Sequence, residues 1–141
     1  INIGVPPEDT TTSSRRAAKQ GSLAVLSQKP LPTNALYLQM LSFYHFQPIP
    51  DPWKSRNELF ASIQSIEGLR GTIYVAEEGI NAQLAVPPGP PLEQLLQECS
   101  TILPVDPFVD CPPNLGDLVP IETPTFNRLI VRVRDFILRD G

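Results

Sequence analysis

The residues in this chain that could do chemistry are few and scattered. Glu77 and Glu78 stand side by side in YVAEEGINAQLAV, residues 74–86. Two carboxylates whose environments push their pKa values apart can divide acid and base work between them. Adjacent residues of a strand, however, point to opposite faces. Gly79 follows at once, and a glycine there supplies the backbone freedom of a tight strand-to-strand connection. The pair therefore reads as the polar tip of a hairpin whose motif runs Glu77, Glu78, Gly79, Ile80, Asn81. Cys99 and Cys111 have no CxxC or Cys/His neighbourhood and read as reduced thiols, not as a disulfide, a nucleophile or a metal site. The single histidine, His45 in FYHF, reads as an ordinary strand residue. Arg128, Arg132 and Arg134 share one parity of RLIVRVR. The plainer reading is a solvated face with Asp135 answering part of the charge. The functional one is a contact for an anion, an RNA backbone or a protein partner. No catalytic residue, metal site or cofactor is expected.

The elements that would position these residues are drawn by proline, 17 of 141 residues. Proline lacks a donor and fixes φ, so it separates elements more often than it enters them. The long proline-free windows are 8–29, 33–47, 53–86, 92–103 and 125–141. The first is polar, without apolar period, and reads as part of an extended arm over residues 1–35. TNALYLQMLSFYHFQ reads as a strand buried on both faces. Asp51 before Pro52 is an N-cap followed by proline at the first helical position, with Trp53, Leu59 or Phe60, Ile63 and Ile66 at helical spacing and Gly68 as the stop. Ile80, Ala82, Leu84 and Val86 alternate with Asn81 and Gln83 after the hairpin. Leu92, Leu95, Leu96, Cys99 and Leu103 stripe a second helix. A proline-rich connector, 104–124, leads to TFNRLIVRVRDFIL, where Leu129, Val131 and Val133 alternate with arginines.

The order β-α-β-β-α-β predicts an α+β, ferredoxin-like domain over residues 36–141, a four-stranded antiparallel sheet with two helices on one face. The arginines would then lie on the open face. Fold does not fix function. The first strand-to-helix turn, QPIPDP, has three prolines and no glycine, so it offers few amides to a phosphate and argues against acylphosphatase-type hydrolysis. RLIVRVRDF lacks the aromatic pattern of an RNA-recognition motif, and the first loop has no cysteine pair for a metal carrier. With a net charge of −4, nothing global marks a nucleic-acid binder. No apolar run reaches the roughly 18 residues of a membrane span.

At GTIYVAEEGINAQLAV the chain resembles the strand-hairpin of the rhodanese-containing family that includes the tRNA wobble-uridine hydroxylases and their plant and algal relatives. LSFYHFQPIPDP, DPFVD and PTFNRLIVRVRDFILRDG resemble further stretches of that family in the same order. The resemblance covers roughly residues 36–141 and implies an N-terminal, acylphosphatase-like domain. The chemistry is attributed to a rhodanese domain that would begin about where Gly141 stands, so no catalytic residue carries over. Ile1 in place of Met marks a processed or partial chain. Two functions are then expected. The first is a non-catalytic accessory subunit of a larger organellar assembly, the plastid favoured, with protein partners holding the polar arm 1–35. The alternative is an RNA-positioning domain of a tRNA uridine-modifying enzyme, with tRNA contact through Arg128, Arg132 and Arg134.

Overall fold

Proline and its neighbours set where the elements begin in the computed structural model, which describes residues 26–137. Residues 1–25 of the expected arm, and 138–141, lie outside the described residues. The elements are β1 (Ser27–Gln28), β2 (Tyr37–Phe46), α1 (Pro52–Ile63), β3 (Arg70–Ala76), β4 (Gly79–Val86), α2 (Pro90–Ile102), β5 (Asn114–Pro120) and β6 (Leu129–Val133). Asp51 caps α1 by accepting a hydrogen bond from the Lys54 N–H at 3.1 Å, with Pro52 in the first turn. The helix stops at Ile63, short of Gly68, and Ile66 is buried in the turn beyond it. α2 starts from Gly89 with two prolines in its first turn.

The predicted ferredoxin-like core is present. β5, β2, β4 and β3 lie side by side, all antiparallel, and run β2-α1-β3-β4-α2-β5 along the chain. Two more strands extend the sheet. β6 adds to the outer edge of β3 in parallel, and β1 pairs antiparallel with β6, giving a six-stranded mixed sheet in the order β1-β6-β3-β4-β2-β5.

The fourth strand of the core is therefore β5, inside the stretch read as a connector, and not the arginine-bearing strand. The reason it escapes a pattern search is visible. All of its residues are exposed or half-exposed, so burial imposes no alternation. A bulge opposite Gln39–Leu41 also shifts Leu115 and Leu118 out of step.

Alternation holds where a face is buried. Leu41 and Phe43 of β2, Ile73 and Val75 of β3, Ile80, Ala82, Leu84 and Val86 of β4, and Leu129 and Val131 of β6 form one core with Leu59, Phe60 and Ile63 of α1 and Leu95 and Cys99 of α2. Each large aliphatic side chain there contributes about 1.5–3 kcal/mol. The Ser62 hydroxyl on α1 donates to Glu98 on α2. Arg56 of α1 is also fully buried, its guanidinium 4.4 Å from the Trp53 ring centre and bonded to Asn57 Oδ1; burial lowers its pKa to about 10.

The chain N-terminal to β2 lies along the domain. Leu26 is buried, Leu31 bridges to Glu67, and Thr33 Oγ1 donates to the Glu67 carboxylate at 2.5 Å. The connection from β5 to β6, residues 121–128, has to pass from one side of the sheet to the other. Four strand spacings of about 4.8 Å make roughly 19 Å, which eight extended residues cover comfortably. Phe126, on this connection, sits over the face opposite the helices, against Thr72, Tyr74, Asn81 and Gln83.

Candidate functional site

The face of the sheet away from the helices gathers side chains that are far apart in sequence. Because directly opposed residues share a face, the register places Tyr44, Asn81, Tyr74 and Arg132 in one row across β2, β4, β3 and β6. Three strand spacings make that row about 14 Å long. Ser42, Gln83, Thr72 and Ile130 form the next row, one pleat along. Phe46 meets Tyr44 edge-to-face with ring centres 6.0 Å apart, so both rings stand on this side. They are 54% and 53% exposed, unusual for rings that a core could have taken. Between β3 and β4, Thr72, Tyr74, Asn81 and Gln83 line a cavity of about 130 Å³ that Phe126 closes from the crossing segment.

The three arginines are held differently. Arg132 is exposed on β6, at the end of the aromatic row. The Arg134 guanidinium lies 4.4 Å from the centre of the Tyr74 ring, a cation–π contact that orients it on the same face. Arg128 is diverted: its Nε donates to Ser27 Oγ at 2.6 Å and its Nη2 to the Ser27 carbonyl at 3.0 Å. It fastens β1 to the sheet, while Arg132 and Arg134 share the face with the aromatic rings.

The hairpin motif has a specific structural task. Glu77 and Glu78 form its two-residue turn. Their carbonyls accept from the Ile49 and Gln47 N–H groups at 3.0 Å each. Gly79, at φ 152°, passes so close to β2 that a Cβ would collide with the His45 carbonyl oxygen. Ile80 is buried. The remaining two side chains reach the far end of the described chain: Glu78 Oε2 accepts from the Ile137 N–H and Asn81 Nδ2 donates to the Ile137 carbonyl, both at 2.9 Å. Both polar groups of one peptide residue are thus held by one motif, with the Ile137 side chain buried beneath.

The same hydrogen bonds close the first strand-to-helix turn. The Gln47 and Ile49 amides are spent on the hairpin, Pro48, Pro50 and Pro52 have none, and the Asp51 carboxylate caps α1. That leaves little in this turn from which an anion cradle of backbone amides could be built. The Gln47 side chain, also buried, exchanges two hydrogen bonds with the backbone of Val105, at 3.0 and 2.9 Å. Cys99 is buried and its thiol pushed up to about 12 by burial and then by Glu98, while Cys111 is exposed. Among the described residues no three of His, Cys, Asp and Glu gather where they could hold a metal ion. No helix among them is long and apolar enough to cross a membrane.

The sequence reading missed Tyr44, Phe46, Tyr74, Thr72, Gln83 and Phe126 as a group. Period two in SFYHF separates Phe43 inward from Tyr44 and Phe46 outward, a signal that was there to use. Nothing local in TPTFNR announces that Phe126 crosses the sheet.

A four-stranded antiparallel core with both helices on one face defines a ferredoxin-like domain, here with its first strand-to-helix turn closed by prolines. The chain belongs to the family described as the UPF0176 acylphosphatase like domain, whose model matches residues 38–137. It is 34% identical over 101 residues to the tRNA uridine(34) hydroxylase of Salmonella typhimurium, covering 72% of this chain and 27% of that protein. It is 46% identical over 55 residues to the tRNA uridine(34) hydroxylase of Aster yellows witches'-broom phytoplasma, covering 39% of this chain and 17% of that protein. The chain thus spans about a quarter or less of the length of these relatives.

Proposed function

We propose that this domain binds RNA on its open sheet face and positions a tRNA for a uridine-modifying reaction carried out elsewhere in the protein to which it belongs. One observation carries the reading. Two exposed rings, Tyr44 and Phe46, share a face with Tyr74 and with the guanidiniums of Arg132 and Arg134. Aromatic platforms edged by cations take single-stranded nucleic acid by stacking and by phosphate contact. The similarity to proteins named tRNA uridine(34) hydroxylase supports tRNA as the RNA and favours this reading over the accessory subunit. The test is binding of a labelled tRNA transcript at several salt concentrations. Replacing both Arg132 and Arg134 with Glu is expected to weaken binding by about tenfold or more and to flatten the salt slope by about two phosphate contacts. Unchanged affinity and slope would sink the proposal.

A second reading, a protein-binding module, rests on β5. It is the last strand of the sheet, and Leu115 and Leu118 on it stand exposed. Such an edge is a template for strand addition. Co-sedimentation of the chain with its neighbours in a gentle extract, lost on replacing Leu118 with Lys, would support it. Migration as a free chain would count against it.

A further inference from the structure

The cavity on the open face has a shape and a set of donors that the platform alone does not require. Thr72 and Tyr74 of β3 and Asn81 and Gln83 of β4 line it, and Phe126 closes one side. At about 130 Å³ it is well below the roughly 300 Å³ where drug-sized ligand sites begin. It is therefore sized for one small planar group and not for a dinucleotide or a helix end. Its lining is divided. Tyr74 and Phe126 supply apolar walls, while Asn81, Gln83 and Thr72 supply amide and hydroxyl groups with both donor and acceptor capacity.

The orientation of those groups is partly fixed. Asn81 gives an N–H to the Ile137 carbonyl, which leaves its Oδ1 as an acceptor. Gln83 is exposed and carries both functions. Tyr74 is held from the other direction by Arg134. On one flank of the cavity, Tyr44 and Phe46 present rings; on the other, Arg132 presents a cation. The spacing is one strand to either side, about 5 Å.

We propose that this cavity is a nucleobase subsite, which takes one unstacked base of a single-stranded RNA segment, edge toward Asn81, Gln83 and Thr72 and faces toward Tyr74 and Phe126. The neighbouring base stacks on Tyr44 and Phe46, and the backbone passes Arg132. This deepens the RNA-positioning reading and rests on it. It adds a pocket that holds one base by its edge beside the rings on which its neighbour stacks, and so prefers splayed single strands to duplex, whose bases are already paired and stacked.

The test uses the full chain and three fluorescein-labelled probes, followed by anisotropy: decauridylate, an abasic decamer of the same ribose-phosphate backbone, and a ten-base-pair RNA duplex. Decauridylate is expected to bind at least tenfold more tightly than the abasic decamer or the duplex. Phe126→Ala is expected to weaken decauridylate binding by about five- to 150-fold, the range seen for losing one stacked base, and to leave the abasic decamer unaffected. Gln83→Ala serves as a second variant because Gln83 is exposed and its loss leaves the core intact; it should narrow the preference for decauridylate over the abasic decamer. Arg132→Glu should weaken all three probes alike. Tighter binding of decauridylate than of the abasic decamer, with no effect of either cavity variant, would overturn the subsite and leave the RNA-positioning reading standing; equal binding of the two probes would overturn the subsite and the stacking platform together. Failure of all three probes and of tRNA to bind would overturn both.

Discussion

Removing the two side chains that grip Ile137 should cost less together than the two costs added. Glu78 accepts from the Ile137 N–H and Asn81 donates to its carbonyl, at 2.9 Å each, over an Ile137 side chain that is 1% exposed. A hydrogen bond to a charged group contributes about 1.5–3 kcal/mol and a neutral one about 0.5–1.5. Glu78 is only partly buried, so the lower end of its range, about 1.5 kcal/mol, applies to Glu78→Ala, and about 1 kcal/mol to Asn81→Ala. If either loss lets the segment lift, the burial of Ile137, about 1.5–3 kcal/mol, is lost with it. Each single variant then approaches about 3 kcal/mol, and the double variant adds little, because the segment can be released only once. Urea denaturation followed by the fluorescence of Trp53, the single tryptophan, gives the four midpoints of the cycle. A coupling of about 1 kcal/mol or more in the sub-additive direction is expected. Additivity within about 0.5 kcal/mol would refute the idea that the two residues act on one segment. Glu78→Gln keeps an acceptor and should fall close to the parent protein.

Gly79→Ala should destabilise by about 2–3 kcal/mol, since it combines a left-handed backbone position with a collision against the His45 carbonyl; a thermal midpoint unchanged within error would contradict this. The buried Cys99 thiol, pushed up to about 12 against 9.0 in the unfolded chain, keeps its proton in the folded state while the unfolded chain loses its own. Above pH 9 the folded state therefore binds more protons and stability falls as pH rises, by about 1.4 kcal/mol at pH 10. Cys99→Ala should remove that slope between pH 8 and pH 10, and a slope that persisted would assign it to another group. In the native state Cys111 should react with a thiol reagent and Cys99 should not, because only the former is exposed.

The elements that bury a face were readable, and those that do not were the ones misplaced. Asp51-Pro52 and the alternation from Ile80 to Val86 each carry a local physical cause, a cap or a pleat against a core, that sequence states directly. β5 has no such cause: it is held by backbone hydrogen bonds to β2 with both faces wet, so its side chains were free to lose their period. The candidate site was half visible. Parity placed Arg132 opposite Leu129 and Val131. That Arg128 would turn to Ser27 and Arg134 to Tyr74 depends on pairings across about a hundred and about sixty residues respectively, which no local pattern encodes.

The strands also differ in how far along the chain they reach to find a partner. β3 and β4 are joined by a two-residue turn and pair locally, whereas β6 reaches β3 only across about sixty residues of chain, after residues 121–128 have crossed the sheet, and β1 pairs only with β6. Loop closure over such separations is costly, so β6 and β1 are expected to be late additions in folding and early departures under stress. The strand that carries Arg132 is therefore the one a mild perturbation would detach, while the four-stranded core stays closed. Slow amide exchange should be confined to β2, β3 and β4, with the cationic margin of the face exchanging ahead of its aromatic centre. The open face of a domain built this way would lose its cationic margin before the domain unfolds.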